Sequence, residues 1–214
     1  ENNDTKMGLY NFDKALFAHI GYAISNLSRS LILAITNARY SKTPVNTNTK
    51  RYYQHINRYS AAFAVASDFA MLSLGGELKK KELLSARLGD VLSSMYLAST
   101  VLKHYENQGC KPNDLPLVQW SVRTLMYEAQ EKLHNFLKNL PNRPLASFLR
   151  CFIFPRGRSY SPPPDELTKK VSAIITTCGD ARERLSEYAY TILEDGNPLG
   201  LLQEALELSE KTGL

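Results

Sequence analysis

The chain has 214 residues, 43% hydrophobic and 22% charged, enough for one well-buried domain with or without a small appendage. That balance excludes disordered and collagen-like classes, and no run of apolar residues is long enough to cross a membrane as a helix. The net charge of +5 hides a division: residues 1–164 carry 21 basic and 11 acidic groups, residues 165–214 carry 5 and 10. A basic body attracts phosphates, anionic lipid heads or acidic partners. Docking of the acidic segment on the basic body is the simpler expectation.

The opening ENNDTKMGLY is polar and acidic, without the basic and apolar regions of a secretory leader. It has no initiator Met, so the expectation is a piece of a longer polypeptide. Cys110, Cys151 and Cys178 stand far apart with no Cys or His ligand spacing, which points to reduced, structural thiols in a cytosolic setting.

Four long helical patterns come first. The first runs from about Asn11 to Tyr40, with Leu16, Ile20, Ala23, Leu27, Leu31, Ile35 and Ala38 as its inward stripe and Asn11 or Asp13 as its cap. SKTPVNTN is a turn, because Pro44 forbids continuation. The second runs from about Thr49 to Leu74, with Tyr52, Ile56, Tyr59, Phe63, Ala66 and Ala70 inward, and ends at Gly75-Gly76. The third, about Lys79 to Asn107, carries Leu84, Leu88, Val91, Met95, Ala98, Leu102 and Tyr105 at alternating spacings of four and three. The fourth starts at NDLP, capped by Asn113 or Asp114, and carries Val118, Val122, Leu125, Ala129, Leu133, Phe136 and Leu140 to Pro141.

At ~1.5 Å per residue each of these helices is roughly 40 Å long, and the short connections predict antiparallel neighbours. A short helix, about Arg143 to Phe152, follows, then FPRGRSYSPPP, which Pro and Gly keep irregular. Smaller helices are expected at about 165–177, 180–188 and 198–211. No strand-like alternation occurs, so the fold expected is all-α: an antiparallel four-helix up-down bundle with a short fifth helix over 1–152, a Pro/Arg-rich loop over 153–164, and a small acidic helical segment over 165–214 packed on the bundle.

Motifs that carry chemistry are missing. Gly75-Gly76 lacks the strand and lysine of a phosphate loop. No zincin, EF-hand or di-iron carboxylate pattern occurs, and His19, His55, His104 and His134 sit singly on different helices. No catalytic, cofactor-binding or metal-ligating residue is therefore assigned. Two basic clusters are candidates for contact with an anion or membrane surface. Lys79, Lys80 and Lys81 open the third helix, where the macrodipole disfavours positive charge. Arg156 and Arg158 stand beside Tyr160 in the Pro-rich loop, a grouping able to hold a phosphate. The plainer readings are a solvated helix end for the lysines and helix-end carbonyls for the arginines. Arg87 and Asp90, three apart, are expected to pair on one face.

Long words of this sequence carry a family resemblance: TKRYYQHINRYSA (49–61), LGGELKKKELLSARLGDVLSSMYLASTVLKHYENQG (74–109), NDLPLVQW (113–120), LPNRP (140–144), IFPRGRSYSPP (153–163) and NPLGLLQEAL (197–206). They resemble the C-terminal domain of large bacterial acyl-CoA dehydrogenases of fatty-acid β-oxidation. FDKALFAHIG (12–21) resembles the linker and first helix of that domain, and the RLGD…MY helix is also similar to the extra helical domain of very-long-chain mitochondrial acyl-CoA dehydrogenases. The resemblance implies a parent that oxidises a fatty acyl-CoA to the trans-2-enoyl-CoA. In such a parent FAD and the glutamate base lie in upstream domains, and electrons leave through an electron-transfer flavoprotein. No acidic residue here matches the base motif, so no catalytic residue is carried over, and with the flavin-contacting domains upstream no FAD is expected in this fragment.

The implied partners are the upstream catalytic domains of the same polypeptide, a second subunit, and an anionic membrane surface. The implied location is cytoplasmic and peripheral on the inner membrane. Nucleic acid is not expected, because Arg and Lys are spread over all helices instead of lining one. A free-standing helical protein-interaction module without enzymatic role is the alternative.

Overall fold

Long stretches with helix-compatible spacing, punctuated by Gly and Pro, dictate a chain of helices, and helices are what form. The computed structural model describes residues 2–45, 48–177, 179–194 and 196–212, with the side chains of 2–5 left aside. In chain order the helices are α1 (Asn2–Ile35), α2 (Lys50–Leu74), α3 (Glu77–Lys80), α4 (Glu82–Asn107), α5 (Leu115–Asn139), α6 (Arg143–Ile153), α7 (Asp165–Thr176), α8 (Asp180–Ser186) and α9 (Pro198–Thr212). A 3₁₀ turn, Pro112–Asp114, precedes α5. The class is all-α, with no strand among the described residues. The chain gathers into two compact units, residues 1–104 with 121–162, and residues 105–120 with 163–214.

Local chemistry is plainest at two helix ends. Gly75 takes φ +50, and its N–H closes the last turn of α2 on the Met71 carbonyl at 2.8 Å. Asn142 caps α6, its side chain accepting from the Leu145 N–H at 3.0 Å, with Pro144 in the first turn.

Three expectations are corrected. α1 begins at Asn2, so Asn11 and Asp13 are interior residues and cap nothing; no proline interrupts residues 2–11, and one glycine costs only about 1 kcal/mol. The third helix is broken at Lys81, whose ψ of +64 separates the one-turn α3 from α4. Asp114 ends the 3₁₀ turn before α5, and its carboxylate accepts from Nη2 of Arg184 at 2.7 Å, in the second unit. Of the cysteines, Cys110 and Cys151 are free thiols, Cys151 exposed; Cys178 lies outside the described residues, as do Asn46 and Thr47 of the expected turn.

In the first unit the buried stripe of α4 is the predicted one, including Leu84, Leu88, Val91, Met95, Ala98 and Leu102. α5 contributes Val122, Met126, Ala129, Leu133, Phe136 and Leu137, and α2 contributes Tyr59, Ala62, Val65, Ala66 and Ala70. Burying a side chain of Leu or Phe size is worth roughly 1.5–3 kcal/mol, so these stripes are the main stabilising term.

α1 runs antiparallel to α2, a register set by two polar contacts. Arg58 Nη1 donates to Asn37 Oδ1 at 2.9 Å, and Asn26 Nδ2 donates to Asp68 Oδ2 at 3.0 Å. Carried onward, that register brings Leu74, the last residue of α2, level with about Ile20 of α1.

Candidate functional site

The predicted cations are held in different ways. Lys80 pairs with Glu77 one turn back at 3.2 Å, both exposed. Lys80 and Lys81 line an open cavity of about 430 Å³ with Glu82, Arg87 and Asn139. Arg156 donates to the Ile35 carbonyl at the end of α1 at 3.1 Å, and Arg158 grips both carboxylate oxygens of Glu131 on α5 at 2.8 and 3.1 Å. No bond or shared cavity joins the lysines to the arginines among the described residues. Arg87 and Asp90 do not pair: Arg87 donates to the Leu83 carbonyl, while Asp90 takes Lys132 of α5 at 2.7 Å, because the facing helix presents a closer cation.

Tyr160 goes elsewhere than its neighbouring arginines. Gln130, fully buried on α5, accepts the Tyr160 N–H at 2.9 Å through Oε1 and donates to the Tyr160 carbonyl at 3.0 Å through Nε2. The same Oε1 accepts the Tyr59 hydroxyl at 3.2 Å. One amide thus fastens residues 159–161 across α2 and α5. The Tyr160 ring then stands edge-on to His55 at 4.8 Å and to Tyr59 at 5.5 Å.

Around this ring the chain collects positive charge. Arg51, His55, Arg123, Ser159, Tyr160 and Ser161 line a cavity of about 350 Å³ that has no carboxylate in its wall. Behind it Arg58, 3% exposed, donates to Asn37 Oδ1 and to Ser159 Oγ at 2.8 Å, both neutral acceptors. Burial and the cations Arg51 and Arg58 push the His55 imidazolium down to about 3, so the ring is neutral at pH 7. Burial, reinforced by Arg39 and Arg58, lowers Arg51 as well, against a raising effect of Tyr160. Sequence singles out none of Arg51, Arg58 and Arg123, and marks His55 only as a histidine alone on its helix. Their legible signal is the spacing of 51, 55 and 58, which sets three nitrogen-rich side chains on one face of α2. The arrival of Arg123 and the 159–161 loop has no local signal.

A second feature of the first unit is apolar. The stripe of α1 is buried or half-buried at Ala23, Leu27, Ser30 and Ala34, but its continuation is bare. Leu16 is 43% exposed, Phe17 70% and Ile20 45%, and Met7, Leu9, Tyr10 and Phe12 are more than half exposed. This corrects the expectation that Leu16, Ile20 and Ile35 lie inward. For Leu16 and Ile20 the cause is length: α2 stops level with about Ile20, so roughly 28 Å of α1 extends past it.

The second unit holds a cavity of about 660 Å³ at the Arg184–Asp114 pair, edged by Lys111, Asp180, Ile174 and Thr177. Its principal charges neutralise one another at 2.7 Å. Among the described residues no three His, Cys, Asp or Glu side chains come together as a metal site, and no helix is long and apolar enough to cross a membrane.

No solved structure matches the chain. The family model described as acyl-CoA dehydrogenase, C-terminal, bacterial type matches residues 1–213. A match over essentially the whole length joins the long words of the sequence and the all-helical fold to one conclusion: the chain belongs to the bacterial-type acyl-CoA dehydrogenase C-terminal domains.

Proposed function

We propose that this chain is the accessory helical domain of a FAD-dependent oxidoreductase that converts a fatty acyl-CoA to the trans-2-enoyl-CoA. Its own part is docking on the upstream catalytic domains of the same polypeptide and stabilising them. The single observation behind this reading is the bare half of α1. Its stripe, covered by α2 and α6 farther along, continues uncovered over Leu9, Phe12, Leu16 and Ile20, and the partner that family membership supplies is the catalytic portion. The four long helices α1, α2, α4 and α5 act in this reading as an antiparallel bundle that holds α1 rigid for docking.

The residues present do not fit a whole flavin dinucleotide. The basic cavity of about 350 Å³ is at the bottom of the range for small-molecule sites. In this reading FAD and the catalytic base belong to the upstream domains, and electrons pass to an electron-transfer flavoprotein there. The test is the full-length parent carrying Phe17→Asp and Ile20→Asp. We expect a lower melting temperature and easier flavin loss with the isolated domain's own stability unchanged; an unaltered parent refutes docking through α1.

Membrane contact belongs to the same proposal. Lys79, Lys80 and Lys81 crowd at one helix break, and Arg156 and Arg158 lie exposed on the irregular stretch after α6. A basic side chain near an anionic leaflet contributes about 1 kcal/mol, so a handful gives reversible, peripheral attachment to the cytoplasmic face of the inner membrane. Sedimentation with phosphatidylglycerol vesicles is expected to fall when the three lysines become Gln and when salt is raised. Binding indifferent to both changes rules the contact out.

A further inference from the structure

We propose that the cavity between α2, α5 and the 159–161 loop is a binding site for a phosphate monoester. Three independent observations converge there. The first is charge: Arg51 and Arg123 line the cavity, with no Asp or Glu in its wall. The second is the buried guanidinium of Arg58, attached to the same wall through Ser159 and bonded only to neutral oxygens. A cation removed from water without a counter-charge costs several kcal/mol, and an anion in the adjoining cavity offsets that cost. The third is unused hydrogen-bonding capacity. Arg58 Nη2, His55 Nδ1 and Tyr160 Oη are buried and have no hydrogen-bond partner among the described residues. Buried polar atoms are paired in the great majority of folded proteins, so three unmet donors packed behind one wall add to its uncompensated positive character.

The chemistry of the donors selects the ligand. Guanidinium forks match the paired oxygens of phosphate better than a single point charge does. The hydroxyl of Ser161 and the ring of His55 add donors around a tetrahedral acceptor. A carboxylate, with two oxygens, leaves several of these unmet. The volume leaves room for a small group esterified to the phosphate. The site is also prearranged: Gln130 holds Tyr160 by both backbone groups and Arg58 holds Ser159, so little ordering cost falls on binding. This site is separate from the bare face of α1, and its fate does not depend on docking.

The experiment is calorimetric titration of the 214-residue chain with inorganic phosphate, at ionic strength held constant with chloride, alongside the His55 ring resonances. Saturable binding is expected, with His55 shifting as the anion arrives and its imidazolium becoming easier to form. Arg123→Gln, at an exposed position outside the core, is expected to weaken binding about tenfold, the value of one charge-assisted bond. Arg51→Gln should do the same, and Lys170→Gln in the second unit should do nothing. The proposal is overturned if chloride competes as well as phosphate does. It is equally overturned if the two arginine variants bind like the parent chain or if His55 stays unmoved. Glycerol 3-phosphate and phosphatidic-acid vesicles distinguish a soluble ester from a lipid head, the tighter binder identifying the source.

Discussion

Gln130 shows how much one side chain decides in this fold. Fully buried, it satisfies the Tyr59 hydroxyl and both backbone groups of Tyr160. Gln130→Leu keeps the volume but strands those three polar groups, and an unmet buried group costs about 1–3 kcal/mol. A loss of about 3 kcal/mol in urea unfolding is expected, against about 1 kcal/mol for Tyr59→Phe, which removes one bond and strands nothing charged. His55 gives a pH signature. Its folded value of about 3 lies below the ordinary 6.5, so on acidification unfolded chains gain a proton that folded chains refuse. Stability is whole above pH 6.5 and declines toward pH 3 by about 1.4 kcal/mol per pH unit. Unfolding midpoints of His55→Gln should fall less steeply with pH than those of the parent chain; identical slopes would show that His55 is not held neutral.

Among the elements, α6 and α1 sit at opposite ends of legibility. The signals of α6 are all local: Asn142 before Arg143, Pro144 in the first turn, and a strongly one-sided apolar pattern whose Ala146, Leu149 and Ile153 are buried. Asn142→Ala removes the one bond to the Leu145 N–H and is expected to cost about 1 kcal/mol in thermal unfolding, with Asn142→Asp restoring it. For α1 the stripe is equally plain in sequence, yet half of it is bare, because coverage depends on where α2 ends and not on α1 itself. The interruption at Lys81 belongs between these cases. The sequence puts three consecutive lysines at a helix start, where they oppose the macrodipole; in the structure Lys79 and Lys80 fall instead in the last turn of α3, where the dipole favours them, and the Lys81 N–H closes that turn on Glu77 and Leu78.

For the whole molecule, the exposed apolar half of α1 sets solution behaviour. Met7, Leu9, Phe12 and Phe17 are more than half exposed and Ile20 nearly half, all on this one stretch of helix, and clustered apolar exposure favours association. The chain is expected to bind an apolar fluorescent dye while retaining its cooperative unfolding transition and to self-associate at high concentration. Phe12→Lys with Phe17→Lys should remove both properties, measured by dye fluorescence and sedimentation velocity.

Helix content, most helix ends, the buried stripes of α4 and α5, and membership of the family were all determined by sequence alone, because backbone hydrogen bonding, capping and 3.6-residue periodicity act within a few residues of one another. Two things waited for the tertiary structure. One is which length of α1 finds cover, a matter of the relative lengths of neighbouring helices. The other is the meeting of Arg51, His55, Arg58, Arg123 and Tyr160, up to 109 positions apart in the chain, since electrostatic and hydrogen-bonding neighbourhoods depend on distance in space and leave no periodic trace along the sequence.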